Sequence, residues 1–364
     1  MPVKLIFIMK NILKPALIIS ESKCRQNIRK MLNKANANGI DLRPHFKTHQ
    51  NITVGNWFKE EGVDRIAVSS VSMATKFANA GWKDIMIAFP FNVREVDEIN
   101  ELAATTDISI TLSCSEAIPL LAGIKNNLSV YLKIDTGSHR TGFNPSSLNE
   151  IIEAAEEISK HPALLLKGFV AHAGHTYSAA GHDEIRSIYR IGVDSLIKLK
   201  KAMSEKFDNL NISWGDTPTC SIIDDFPGVD EIRPGNFVYY DLMQLNLKVC
   251  KENDIAMIIA CPVVAKHKDR NEIVIYGGAV HLSKELLSYD DGKQSYGRLV
   301  ELKEDGSWML VKPDMNVIRL SQEHGILKVS DEVLDRIQIG SLIGIMPVHA
   351  CLAADLLHEC FFVD

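Results

Sequence analysis

The run Arg43-Pro44-His45-Phe46-Lys47-Thr48-His49 sets one lysine among an arginine and two histidines within seven residues. Positive charge from Arg43, His45 and His49 would lower the pKa of Lys47 and leave a neutral, nucleophilic amine. A lysine tuned in that way forms Schiff bases with carbonyl compounds. The plainer alternative is a solvated lysine at a strand end. Three further stretches carry groups that could work beside it. Asp135-Thr-Gly-Ser-His-Arg140-Thr-Gly142 offers an arginine, for a ring or a carboxylate. His172-Ala-Gly-His175-Thr-Tyr177 offers two bases and a phenol. Pro347-Val-His349-Ala-Cys351 ends an apolar run, and if the strand continues, His349 and Cys351 point to one face. Imidazole with thiolate suits zinc. Two protein ligands are few for a structural ion, so a metal there would be exchangeable and catalytic, with His281 and His324 as further candidate ligands.

Gly215-Asp-Thr217-Pro-Thr219 and Gly235-Asn236 are short glycine-opened turns bearing hydroxyls and free N–H groups. Such turns can cradle a phosphate. A phosphate cradle beside a reactive lysine suggests a phosphorylated aldehyde, pyridoxal 5'-phosphate, with Arg140 a ligand to its ring or to a substrate carboxylate.

These groups need a scaffold that brings strand ends together. From Ile40 to Tyr239 short β-branched runs alternate with helical patterns. Eight strands are predicted, at 40–47, 65–70, 84–89, 108–113, 129–135, 164–173, 211–216 and 231–238. Most are apolar on successive residues, as strands covered on both faces are. Eight strand–helix units match a (β/α)8 TIM-like barrel, whose active residues sit at the C-terminal strand ends, better than an open sheet. After Asp241 the texture changes to short strands at 256–266, 272–277, 298–301, 308–312, 317–320, 326–329 and 341–346, an all-β C-terminal domain. The expected division is an N-terminal segment over 1–22, a cofactor-binding barrel over 23–244 and a β domain with the metal site over 245–364. Pro15–Ser20 is strand-like and either joins the β domain or leads into the first helix.

The chain has 364 residues, a net charge of -6 and 46% hydrophobic residues. Without a basic field, a nucleic-acid partner is not expected. No window reaches the ~18 apolar residues of a membrane span. The apolar patch in Met1–Lys10 is too short for a secretory leader, and residues 1–8 read as an extension ahead of Met9. Seven widely spaced cysteines, with no Cys-x-x-Cys pair, suit free thiols in a cytoplasmic protein.

The seven-residue run around Lys47 resembles the cofactor-lysine motif of the fold-type III pyridoxal phosphate enzymes, in the branch of D-threonine aldolases and eukaryotic-type D-serine dehydratases, whose N-terminal barrel is alanine racemase-like. The resemblance extends over nearly the whole chain. It takes in the loops 135–142 and 172–177, the segments 215–221 and 231–241, and the signatures Gln322-Glu-His-Gly325 and Pro347-x-His-x-Cys351. It implies that Lys47 holds the cofactor as a Schiff base, that Thr219, Gly235 and Asn236 contact phosphate, and that Tyr177 and Arg140 flank the ring. It also implies a divalent metal, zinc or manganese, on His349 and Cys351, and a head-to-tail homodimer. The His–Cys pair is similar to that of the dehydratases. Ala353-Ala354-Asp355 and the run Tyr276–Lys284 depart from their pattern and suggest a separate subgroup.

The expected activity is a metal-assisted lyase acting on a small D-3-hydroxy amino acid. Lys47 would remove the Cα proton in dehydration, and His172 or His175 the hydroxyl proton in aldol cleavage. An amino-acid racemase of the same fold would need a second base opposite Lys47. A non-catalytic cofactor carrier would need no long β domain.

Overall fold

The structure, a computed structural model, describes residues 11–289, 291–303, 305–311 and 314–364. Residues 1–10 of the expected N-terminal segment, and Lys312 at the end of the strand expected from Trp308, lie outside the described residues. The chain divides into two compact units. One is Ile28–Phe237; the other joins the residues up to Asn27 to Val238–Asp364.

The chain opens with β1 (Ala16–Ser20) and α1 (Glu21–Ala37). Then follow β2 (Asp41–Leu42), α2 (Ile52–Glu60), β3 (Arg65–Val68), α3 (Val71–Asn79), β4 (Asp84–Pro90), α4 (Val96–Ala103), β5 (Asp107–Leu112) and β6 (Leu128–Lys133). The alternation ends with α5 (Leu148–Lys160), β7 (Leu164–His172), α6 (His182–Met203), β8 (Asn211–Gly215), α7 (Thr217–Ile222) and β9 (Glu231–Ile232). The strands of the first unit pair in parallel in the order β2-β9-β8-β7-β6-β5-β4-β3, and a parallel bridge between His45 and Ala67 joins the two ends. The sheet is thus the expected (β/α)8 barrel. Its first and last strands are shorter than predicted. Pro44 has no N–H to give and the chain turns at Phe46–Thr48, whereas β9 stops ahead of Pro234. Helix starts follow local chemistry: Asn51 Oδ1 accepts from Thr53 and Val54 at the head of α2, and Ser70 Oγ from Met73 at the head of α3.

One interior layer of the barrel is built by Ala67, Met86, Tyr131 and Val170, from β3, β4, β6 and β7. Alternate residues of a strand share a face, so the next inward positions are Ser69, Ala88, Lys133 and His172. That layer lies at the C-terminal mouth.

The second unit carries α8 (Leu242–Asn246), β10 (Met257–His267), β11 (Glu272–Tyr276), α9 (Ala279–Leu282), β12 (Leu287–Ser288), β13 (Gln294–Ser295), β14 (Gly297–Leu302), β15 (Trp308–Leu310), β16 (Val317–Leu320) and β17 (His324–Lys328). It ends with α10 (Asp331–Arg336), β18 (Leu342–Pro347), α11 (Ala350–Leu356) and β19 (Cys360–Val363). Its main sheet runs β15-β14-β18-β10-β11-β17-β16, and β1 pairs antiparallel with β10 and parallel with β19. The leading strand therefore joins the β sheet. Among the described residues no helix is long and apolar enough to cross a membrane.

Candidate active site

Lys47 sits in the single 3-10 turn Phe46–Thr48 that follows β2, with His45 as its cap. The turn is held by close packing against the loop after β9, the strand that pairs with β2. A Cβ on Gly235 would stand 2.9 Å from Thr48 Oγ1 and 3.0 Å from the His45 carbonyl, so only glycine lets the loop after β9 approach. Lys47 is half-buried in a cavity of about 220 Å3, lined also by His45, Ser69, Phe89, Lys133, Arg140, His172 and Arg233. No aspartate or glutamate is among its lining residues.

The neighbours of Lys47 differ from those the sequence suggested. Arg43 is buried and commits its guanidinium to Glu231 (2.7 Å) and Asp84 (2.5 Å). These carboxylates outweigh its burial and hold it charged. His49 packs among Phe46, Phe58 and Phe77, where burial pushes its pKa down to about 3. Of the three expected cations only His45 lines the cavity. Burial, followed by the charges of Lys47, Arg233, His172 and Lys133, pushes it well below its ordinary pKa, so it is neutral at pH 7. The positive field comes instead from residues distant in sequence.

Arg233 is one of them. Its Nε donates to Ser213 Oγ (2.7 Å) and its Nη2 to the Ala171 and Ser213 carbonyls (2.6 and 3.1 Å). Ser213 in turn donates to Glu231. Lys133 is the other. It ends β6 pointing inward, and burial, then Arg140, Arg233 and Lys47, push its pKa down to about 8. Lys133 falls inside the strand expected over 129–135 and Arg233 inside that over 231–238, and their types and spacing alone assign neither a role. A lysine two positions after Tyr131 on an otherwise buried strand was the signal for Lys133.

The remaining candidates divide. Arg140 and His172 line the cavity with Lys47. His172 is pushed well below its ordinary pKa by burial and the cations around it. His175 and Tyr177 lie in the 3-10 turn Gly174–Ser178 and do not line the cavity. The His175 ring stands over Gly137, and its pKa is lowered by burial. Thr217 and Thr219 occupy the first turn of α7 and are fully buried. The turn is braced by Asp216, whose buried carboxylate accepts from Thr219 N (2.7 Å), Thr176 Oγ1 (3.0 Å) and Trp214 Nε1 (3.1 Å). Burial raises its pKa to about 6 against the pull of those donors. Gly235 and Asn236 follow β9, where Asn236 is buried.

These residues fit pyridoxal phosphate. An amine, the three cations Lys133, Arg140 and Arg233, and no carboxylate face one cavity, and among the described residues the buried Thr217 Oγ1 has no hydrogen-bond partner. A buried hydroxyl left so is costly unless a ligand completes it.

In the second unit His349 and Cys351 come together by a different route from the expected strand alternation. β18 ends at Pro347 and the chain turns into α11, with His349 as its cap and Cys351 in its first turn. Asp241 fixes this corner. Its Oδ2 accepts from Ala350 N (2.9 Å) and lies 3.8 Å from His349 Nδ1, while its Oδ1 accepts from Gln244 N (3.0 Å). Burial disfavours charge on His349, but Cys351, Asp241 and Glu285 outweigh it and push its pKa up to about 9. An imidazole and a thiol in contact suit a soft divalent ion. Among the described residues no group of three or more His, Cys, Asp or Glu side chains gathers to hold a metal. His281 is tied to Gly278 N and Glu323, and His324 is exposed on β17.

Comparison with known proteins agrees in both units. Residues 19–242 match the alanine racemase N-terminal domain family and residues 256–363 the putative serine dehydratase domain. The D-serine dehydratase of Dictyostelium discoideum is 29% identical, across 97% of this chain and 94% of that one. The D-threo-3-hydroxyaspartate dehydratase of Delftia sp. HT23 shares the fold, with a TM-score of 0.87 at 24% identity over 96% and 94% of the two chains. A cysteine-to-alanine variant of that enzyme, in the metal-free form, aligns with a TM-score of 0.88 over the same shares at 24% identity. The chain belongs to the alanine racemase-like family of fold-type III pyridoxal phosphate enzymes that holds the D-serine dehydratases and D-threonine aldolases, and it is a lyase acting on a D-amino acid.

Proposed function

We propose that the chain is a divalent-metal-assisted lyase of D-3-hydroxy amino acids and that β-elimination of water is its principal reaction. The observation that carries this reading is the meeting of His349 with Cys351 beside Asp241, an imidazole–thiol donor pair that a racemase or a cofactor carrier has no use for. In this reading residues 23–244 carry the cofactor and residues 245–364 the metal. Pyridoxal phosphate, attached at Lys47, supplies an electron sink for charge developing at Cα. Zinc or manganese would be held by His349 and Cys351 and would supply a Lewis acid for the β-hydroxyl.

The chain's own groups do the rest. Lys47 Nζ, released when the substrate amine takes its place, accepts the Cα proton. The electron pair of that bond becomes the Cα–Cβ double bond as hydroxide leaves Cβ. Hydrolysis of the enamine product then gives a 2-oxo acid and ammonia. Thr217, Thr219, Gly235 and Asn236 hold phosphate, and Arg140 and Tyr177 flank the ring. Aldol cleavage is the second reading, and the depressed pKa of His172 supports it, since a neutral imidazole in the cavity can take the hydroxyl proton. His175 is its alternate. The family resemblance implies a homodimer, and seven cysteines without a disulfide suit a cytoplasmic setting.

D-Threonine separates the two reactions. Elimination yields 2-oxobutyrate and ammonia; cleavage yields glycine and acetaldehyde. The expected result is 2-oxobutyrate from the holoenzyme, a large loss on chelation, and recovery with zinc or manganese. Activity indifferent to chelation, in protein shown to be metal-free by elemental analysis, would remove the metal from the mechanism.

A further inference from the structure

Lys133 has no place in the chemistry described so far. Only 6% of it is exposed, its side chain lines the Lys47 cavity, and its ammonium makes no hydrogen bond or ion pair with any described residue. A buried cation without a counter-ion is costly, and the cost is recovered only when an anion arrives. The surrounding charges make the need sharper. Arg140, Arg233 and Lys47 line the cavity with Lys133 and disfavour its charge, and the carboxylate of Asp135, which favours it, accepts backbone N–H groups of Gly137 and His139.

Lys133 is also held firmly in place. It ends β6 opposite Val170 of β7, and its carbonyl accepts from Phe143 N, which closes the 135–142 loop back onto the strand. A side chain that enters from a rigid strand and stops in a cavity is positioned to bind, whereas a lysine on a loop could swing into water. Arg233 is less available, because three internal hydrogen bonds use its Nε and Nη2.

We propose that Lys133 is the carboxylate anchor of this active site, taking a substrate carboxylate as an ammonium–carboxylate pair that orients Cα toward Lys47. This rests on the lyase reading above. Either the α-carboxylate common to all amino acids or the β-carboxylate of a 3-hydroxyaspartate supplies the same chemistry, and the choice of substrate tells them apart.

The experiment uses the cofactor-loaded full chain and the variants Lys133→Met, Lys133→Gln and Lys133→Arg, with far-UV circular dichroism to confirm folding. Calorimetric titration with propanoate and succinate, which carry no amine and cannot react, measures carboxylate binding without turnover. Lys133→Met is expected to weaken both probes at least tenfold, Lys133→Arg to retain them within threefold, and the affinity for pyridoxal phosphate to stay unchanged. If Lys133→Met does not fold, Lys133→Gln against Lys133→Arg gives the same comparison. In turnover the loss should appear in KM, with kcat reduced less than threefold. A rise in KM for D-serine and D-threo-3-hydroxyaspartate alike assigns the α-carboxylate, and a rise for the dicarboxylate alone assigns the β-carboxylate. Unchanged probe affinity in Lys133→Met overturns the proposal, and so does a tenfold loss of pyridoxal phosphate affinity with the carboxylates unaffected. If no 3-hydroxy amino acid is turned over but the probes still depend on Lys133, the lyase reading falls and the anchor stands.

Discussion

At the scale of single residues, the sequence motif singles out Lys47 for a reason that the structure replaces. Three basic neighbours in the chain suggest a tuned amine, yet Arg43 is neutralised by Glu231 and Asp84, and His49 is enclosed by phenylalanines. Neighbours in sequence around a turn point in different directions, so charge adjacency along the chain carries little information about charge adjacency in space. The cations that do face the cavity come from β6 and from the loops after β6 and β9, and only the barrel brings them together. His49 instead has a consequence for stability. Its pKa is about 3 in the fold against 6.5 ordinarily, through burial. The unfolded chain takes up its proton as pH drops below about 6.5 while the folded chain refuses it. Stability from this group is therefore fully present above that pH and is lost as pH falls toward about 3, by up to ~1.4 kcal/mol per pH unit. Urea melts of the protein and of His49→Phe at pH 7, 6 and 5 are expected to show the steeper loss in the protein that keeps the histidine. Parallel pH dependences would mean that His49 is protonated in the fold.

At the scale of elements, the strands were legible because parallel strands covered on both faces are apolar without interruption, and β4 to β8 fall within a residue or two of their predicted ends. The corner that carries His349 and Cys351 was not. His349 and Cys351 read as alternate residues of a strand, but the chain changes from strand to helix between Pro347 and Ala350, and Asp241, more than a hundred residues earlier, holds that corner in place. Periodicity cannot reveal a switch of element two residues long. The loop 135–142, which returns Arg140 to the cavity, depends on one glycine. Gly142 has φ +126°, and a Cβ there would lie 2.8 Å from Asp135 N and 2.9 Å from the Lys133 carbonyl. Both are backbone atoms that cannot step aside. Gly142→Ala is expected to cost about 3 kcal/mol and to loosen the loop at both ends. Gly39→Ala is the control, since Gly39 has φ +64° with nothing within 4 Å of the added carbon, and strain alone there costs about 1 kcal/mol. Thermal melts should separate the two variants. Equal losses would show that the close approach at Gly142 relaxes at no cost.

At the scale of the whole molecule, the chain begins in one unit, crosses into the barrel and returns, so the β unit is assembled from two distant segments. β1 is its keystone. All five of its residues are buried, Ala16 to Ile19 pair with Ala260 to Met257 on β10, and Leu17 to Ser20 pair with Cys360 to Val363 on β19. Among the described residues β19 has no other strand partner, and Asp364, just after it, accepts from the Ser20 and Ser22 hydroxyls. Burying Leu17, Ile18 and Ile19 contributes roughly 1.5–3 kcal/mol apiece, a large share of the ~5–15 kcal/mol that a domain has in total. The sequence showed the strand at Pro15–Ser20 but left its partner open, because pairing across more than two hundred residues leaves no local pattern. Removal of residues 1–20 is therefore expected to release β19 and to strip amide-exchange protection from Met257–Ala260, while β14 and β18, which pair with each other away from β1, keep theirs longer. A peptide of residues 11–27 added in trans should restore part of the lost protection. Protection of Cys360–Val363 that survives the deletion would show that β19 is held by something other than β1, and the leading strand would then be an addition to the β unit and not the element that completes it.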